Sequence, residues 1–202
     1  MSRQVCPRCT RPLAHCLCTA IPDLCSHTRV TILQHPEESR HPLNTGRLAA
    51  LGLRRAELVC GEVFADSLWQ QPGTWLLFPG DDAICVQAIA PGQAVTHLIV
   101  PDGTWRMARR LLRLNPGLAA LPRLAIPPGE PSRYRVRNTS QAGAVATIEA
   151  VVRALEVLEA PARFDALLAP FDLMVDRQLA AMARAHGRRA GYDPCEAGTL
   201  PD

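Results

Sequence analysis

The stretch His97–Arg110, HLIVPDGTWRMARR, decides how the chain is read. A short apolar run, His97 to Val100, closes on Pro101, Asp102 and Gly103, as buried strands tend to close. The next residues, TWRMARRLLRLN, place Met107, Leu111 and Leu114 on one helical face and Arg106, Arg110 and Arg113 on another. A strand handing over to a helix at an Asp-Gly turn is one unit of a parallel sheet. In such sheets ligands bind beyond the carboxyl ends of the strands. Asp102 therefore has two readings: it presents a carboxylate to a ligand, or Asp102 or Thr104 caps the following helix.

Working outward, the same alternation recurs from about Thr28. RVTILQ (Arg29 to Gln34) reads as a strand, and a helix starts near Asn44 in NTGRLAALGL. ELVCGEVF, TWLLFPG, AICVQAI and PRLAI are further short strands, and NPGLAALP breaks the arginine-bearing helix. ATIEAVVRALEVLE and FDALLAPFDLMVDRQLAAMARAHG read as amphipathic helices, the second interrupted at Pro170. The fold class expected is α/β, a mostly parallel sheet with helices on both faces. The expected organisation is a Cys-rich segment at 1–27, an α/β domain at 28–185 and a tail at 186–202.

Composition narrows the chemistry. The chain has 202 residues, a hydrophobic content of 48% and a net charge of +3, enough for one cored domain. No apolar run is long enough to span a bilayer and the first residues lack a signal-peptide core, so a cytoplasmic protein is expected. All 22 basic residues are arginine. Lysine Schiff-base chemistry and a phosphate-loop lysine are thereby excluded. No two glycines are separated by a single residue, so the Gly-x-Gly-x-x-Gly dinucleotide fingerprint is absent.

Cys6, Cys9, Cys16 and Cys18 crowd into CPRCTRPLAHCLC. Cys-x-x-Cys followed by Cys-x-Cys matches a closed tetrahedral zinc site, which folds a segment too short for its own core. Disulfides do not suit a chain with no export signal, and a redox pair would follow a strand. His15, Cys25 and His27 are spare ligands able to replace one thiolate.

Two polar segments flank these elements. LQHPEESRHPLNTGR, directly after the first strand, gathers Gln34, His35, Glu37, Glu38, His41, Asn44, Thr45 and Arg47. PSRYRVRNTS places Arg133, Arg135 and Arg137 at period two, on one face of an extended segment. Guanidinium groups in a row match phosphates or a carboxylate. With Arg106, Arg110, Arg113, Arg184, Arg188 and Arg189, they outline a surface suited to RNA. The alternative is a solvated edge whose charges discourage aggregation.

Taken in order, the cysteines with Arg11-Pro12, TRVTILQHPEESRHPLNTGRLAAL, LLFPG, DGTW, NPGLAALPRL, SRYRVR and TIEAV resemble the DTW-domain family of tRNA-uridine aminocarboxypropyltransferases. Asp102, Thr104 and Trp105 meet its signature. The resemblance, over roughly residues 5 to 180, implies a SPOUT-like sheet with a trefoil knot. It implies S-adenosylmethionine as co-substrate and transfer of its 3-amino-3-carboxypropyl group to N3 of a tRNA uridine, in the variable loop, releasing methylthioadenosine. Asp102, Thr104 and Trp105 then become the catalytic set, with Asp102 as base or uridine-positioning group. The co-substrate set becomes Asn44, Thr45, Pro79, Gly80, Pro101, Gly103, Arg135, Thr147 and Glu149. His35, Arg47, Arg106, Arg133 and Arg137 become RNA contacts, and fold-level analogy suggests a homodimer. The competing readings are a SPOUT-like RNA methyltransferase and a noncatalytic zinc-stabilised RNA-binding module.

Overall fold

The computed structural model describes residues 4–90, 93–127, 129–134 and 144–190. Six parallel strands form one sheet: β1 (Arg29–Gln34), β2 (Ala56–Cys60), β3 (Thr74–Leu77), β4 (Ile84–Cys85), β5 (His97–Asp102) and β6 (Arg123–Ala125). Their order is β2-β1-β5-β3-β6-β4, with β1 and β5 side by side. The helices are α1 (Pro36–Ser39), α2 (Gly46–Gly52), α3 (Trp105–Leu114), α4 (Pro116–Ala119), α5 (Thr147–Leu158) and α6 (Ala169–Ala190).

Strand periodicity of two divides the core. Val30, Ile32, Trp75, Leu77, Leu98 and Val100 join one cluster with Leu48 of α2, Ile148 and Val151 of α5, and Phe171 of α6. Leu33, Leu76 and Ile99 point the other way and meet Leu111, Leu112 and Leu118 of α3 and α4. Helices thus cover both faces, as the alternating pattern predicts. One consequence is decisive for the site. The chain leaves β1 towards α2 on the first face and leaves β5 towards α3 on the second. Neighbouring strands whose helices depart to opposite faces open a crevice at their carboxyl ends.

Three expectations are corrected in detail. The buried positions of α3 are Ala108, Leu111 and Leu112, whereas Leu114 is exposed and Met107 only partly covered, because Met107 folds back over the start of its own helix. Pro170 lies in the first turn of α6, where no amide hydrogen is required, so it opens that helix after a 3-10 turn at Asp165–Leu168. Part of the polar segment after β1 is the short helix α1, with His35 at its N-cap.

A buried polar network closes the amino end of the sheet. Thr31 Oγ1 lies 2.8 Å from His97 Nε2 and donates to Glu57 Oε1 at 2.8 Å, which also receives Arg29 at 2.6 Å. Thr74 Oγ1 lies 3.5 Å from His97 Nδ1. His97 is only 1% exposed. Burial, and secondarily the Arg29 charge, push its imidazole down to about 4, so it is neutral at pH 7.

Candidate functional site

At the opposite end, in the crevice between β1 and β5, Asp102 is the last residue of its strand and is 3% exposed. The parallel register sets Gln34 directly beside it. Both side chains point to the first face, and Gln34 Nε2 donates to Asp102 Oδ2 at 2.7 Å. Thr147, at the start of α5, donates its hydroxyl to Asp102 Oδ1 at 2.6 Å. The carboxylate accepts from two separate segments, the arrangement a buried charge requires.

Two glycines make room for it. A Cβ on Gly46, the first residue of α2, would lie 2.5 Å from Asp102 Oδ2. Gly103 has φ +144°, which only glycine adopts easily, and a Cβ there would meet Met107 at 3.1 Å. Glycine at these two positions lets α2 and α3 approach the strand end closely. Among the described residues, Gln34 Oε1 is buried with no hydrogen-bond partner, and so is Arg47 Nε, on the residue after Gly46. Orphaned buried polar atoms are uncommon, and Gln34 Oε1, on the side chain that holds the buried Asp102 carboxylate, makes this strand end a candidate ligand site.

The expected site residues divide by what holds them. Thr104 caps α3, its Oγ1 accepting from Met107 N at 3.3 Å, while the Asp102 carboxylate is held by Gln34 and Thr147. Trp105 packs against Phe78, ring centroids 5.5 Å apart, tying the loop after β5 to the loop after β3. Pro79 and Gly80 follow Phe78 and are exposed at the same carboxyl edge, and Pro101 is half-buried within β5. Asn44 is buried, accepting from Arg47 N at 3.0 Å and donating to the Glu38 carbonyl at 3.2 Å; buried Thr45 precedes α2. Glu149 accepts from Ala146 N, Ser132 Oγ and Arg133 N at 2.6–2.7 Å, so it caps α5 and anchors the segment before residue 135. His35 is buried, with Nδ1 accepting from Glu37 N and Nε2 2.9 Å from Glu62. Arg106 is exposed, and exposed Arg133 pairs with Asp172 at 2.8 Å. Arg135 and Arg137 lie outside the described residues.

The four N-terminal cysteines converge. Their sulfurs all lie within 4.8 Å of one another, with Cys6–Cys18 at 3.6 Å and Cys9–Cys16 at 3.8 Å. A tetrahedral site with Zn–S bonds of ~2.3 Å has sulfur–sulfur edges of about 3.8 Å, which these two distances match, so the donor set fits zinc. Backbone amides of Cys9 and Arg8 hold the Cys6 thiol down to about 6, whereas burial and the adjacent sulfurs push Cys18 up to about 12. Crowded sulfurs cannot all ionise alone, and a divalent cation between them resolves that conflict. The spare ligands are not needed, since all four positions come from cysteine.

This segment also braces the crevice. Arg11, between the cysteine pairs, donates to the carbonyls of Pro42 and Asn44, the latter at 3.1 Å. Tyr134 Oη donates to the intervening Leu43 carbonyl at 3.2 Å, and Arg177 of α6 to the Cys16 carbonyl at 3.1 Å. Three successive carbonyls leading to Gly46 are thereby fixed from outside the loop. Gln34 was gathered by sequence with the polar segment after β1 but given no role, Arg11 entered only with the cysteines, and Gly46 was not singled out. The available signals were a strand ending in glutamine, the glycine in NTGR, and Arg-Pro between the cysteine pairs.

With this geometry in view, the DTW domain matches residues 3–179. The chain belongs to the DTW domain family. Among curated relatives, the fly Drosophila melanogaster has a protein named tRNA-uridine aminocarboxypropyltransferase 2. It is 28% identical over 190 residues, covering 88% of this chain and 76% of that protein. The mouse protein of the same name is 30% identical over 171 residues, covering 78% of this chain and 57% of its own length. tRNA-uridine aminocarboxypropyltransferase A of Arabidopsis thaliana is 30% identical over 136 residues, covering 56% of this chain and 52% of its own. This DTW chain thus spans little more than half the length of the mouse and plant relatives. No solved structure matches it. No helix among the described residues is long and apolar enough to cross a membrane.

Proposed function

We propose that this chain transfers the 3-amino-3-carboxypropyl group of S-adenosylmethionine to N3 of a uridine in the variable loop of tRNA, in the cytoplasm, releasing methylthioadenosine. DTW membership and the names of the relatives support the reaction class. The observation that carries the site is the buried Asp102 carboxylate at the β1/β5 crevice, next to the unpartnered Gln34 Oε1. The knotted SPOUT-like topology belongs to the same proposal.

The reaction balances as one substitution. Uridine N3 loses its proton and bonds to the side-chain carbon; that carbon's bond to sulfur breaks, and the sulfonium leaves as a neutral thioether. Three carbons flank the sulfur, so the outcome depends on which one lies in line with N3. Asp102 accepts the N3 proton, oriented by Gln34 and Thr147. Asn44, Thr45 and Arg135 take the methionine end, and the backbone at Pro79-Gly80 and Pro101-Gly103 takes the adenosine. Trp105 forms the wall against Phe78. Thr147 and Glu149 support this site from α5, the first through Asp102 and the second by holding the Ser132–Arg133 segment. Zinc, held by Cys6, Cys9, Cys16 and Cys18, supplies structural cross-linking, and Arg11 carries that order to the Asn44 loop.

Product identity tests the proposal. The zinc-loaded protein incubated with S-adenosylmethionine and unmodified tRNA should release methylthioadenosine in step with uridine loss. S-adenosylhomocysteine as by-product would make it a methyltransferase instead. RNA binding with neither product would leave a binding module.

A further inference from the structure

On the second face of the sheet, across the strand ends from the Asp102 carboxylate, lies a separate cleft of about 380 Å³. It is lined by His35, Glu37, Glu62, Arg106, Arg110 and Arg113. The three arginines follow one another at positions i, i+4 and i+7 of α3, one ridge of the helix. Arg106 and Arg113 make no hydrogen bond or ion pair among the described residues. Arg110 is engaged: its Nε and an Nη donate to the two oxygens of Glu62 at 2.8 and 3.1 Å, and His35 Nε2 lies 2.9 Å from the same carboxylate.

Glu62 is held there by its backbone. Its carbonyl accepts from Asn115 Nδ2 at 2.8 Å, and Phe64 N donates to Asn115 Oδ1 at 2.9 Å, fastening the loop after β2 to the end of α3. A carboxylate gripped by a guanidinium fork occupies the position a phosphate would take, since the two anions accept the same bidentate geometry. The flanking arginines extend that position into a row. From Arg106 to Arg113 the helix rises about 10 Å, long enough for the row to meet more than one phosphate of a strand. A row of cations suits a chain of anions better than a single small anion, which calls for convergent donors. The floor of the cleft is His35, whose amide bonds to the Asp102 carbonyl at 3.1 Å, so backbone bound here would reach the strand edge above the proposed reaction site.

We propose that Arg106, Arg110 and Arg113 hold the sugar-phosphate backbone of the RNA substrate in this cleft, with Glu62 keeping Arg110 extended until a phosphate replaces it. The inference rests on RNA being the substrate and adds where it is gripped. The test measures binding of an unmodified tRNA transcript to the full-length zinc-loaded protein across a salt series. Arg106→Gln/Arg113→Gln, at exposed positions, should melt like the parent, bind roughly tenfold more weakly and lose nearly two from the salt slope. Glu62→Gln should bind several-fold more tightly with a steeper slope. Arg163→Gln, beyond the far end of α5, should leave the slope unchanged. Unaltered affinity and slope in the double variant, or an equal loss in Arg163→Gln, would overturn the assignment. So would weaker binding by Glu62→Gln, or displacement of the RNA by a poly-glutamate peptide at equal charge. If the parent protein binds no RNA even at low salt, the substrate reading falls as well; if the parent binds and the variants match it, only the cleft assignment falls.

Discussion

At its first residue β5 buries His97 and at its last Asp102, about 16 Å apart along one strand at ~3.3 Å per residue. Both titratable side chains are hydrogen-bonded and almost wholly covered. Their surroundings differ in kind. The partners of His97 are Thr31 and Thr74 on the adjacent strands, with Glu57 and Arg29 continuing the network across β2 and β1. Those of Asp102 arrive from three places: Gln34 from β1, Thr147 from α5, and the bare Cα of Gly46 from α2. The amino end is closed by strand neighbours, whereas the carboxyl end is assembled from a strand and two helices and keeps an acceptor, Gln34 Oε1, without a partner among the described residues. A satisfied network stabilises; an incompletely satisfied one at a strand end is where binding is expected.

This contrast predicts that changes at one end affect chemistry and changes at the other affect stability. The largest effect is expected from Asp102→Asn: transfer falls by about 10²–10⁴-fold, the range of a general base. The fold survives because the Gln34 amide can turn and offer Oε1 to the new N–H. Thermal melting alongside product formation checks both halves. Gly46→Ala comes next. The added methyl overlaps Asp102 Oδ2, displacing the carboxylate, and activity drops on the order of 10²-fold with about 1–3 kcal/mol of stability. Arg11→Met should leave zinc content at one equivalent and lower activity about tenfold, through loss of register in the Asn44 loop; metal analysis separates this from loss of the site.

His97 predicts a stability effect and no catalytic one. Its folded value of about 4 lies below the ordinary 6.5, so between those values the unfolded chain binds the extra proton. Stability is then full above pH 6.5 and falls by on the order of 3 kcal/mol as pH drops towards 4. Urea unfolding across that range should show the slope, and His97→Gln should flatten it with activity at pH 7.5 unchanged. The smallest effect belongs to Arg29→Gln: its pair with Glu57 is more than a third exposed, and its loss should cost under about 1 kcal/mol. A large loss of activity from either amino-end variant would erase the distinction.

The sheet was legible because every one of its strands is a short run that begins or ends within a residue or two of Gly, Pro or Asp. The same signal placed Asp102 at a strand end but left it open as cap or ligand-facing carboxylate, and only the family resemblance grouped it with Thr104 and Trp105 as a catalytic set. The partners of Asp102 were not legible. Gln34 meets Asp102 only through the β1–β5 register, a pairing 68 residues apart that no local pattern encodes. Glu149 did carry a local signal, an acid in the first turn of a helix, and its role as a cap follows from that position. His35 sits before a proline-led helix, likewise a capping position. The cysteine cluster was fully legible, because ligand spacing is itself the geometry.

The account stands on the carboxyl end of β5 being the reacting end. Nucleoside mass analysis of tRNA after a single turnover with S-adenosylmethionine, comparing the parent protein with Asp102→Asn at matched melting temperature, tests this most directly. The account predicts aminocarboxypropyl-uridine and methylthioadenosine from the parent and neither from the variant, with tRNA binding equal in both. Full conversion by the folded variant would contradict it.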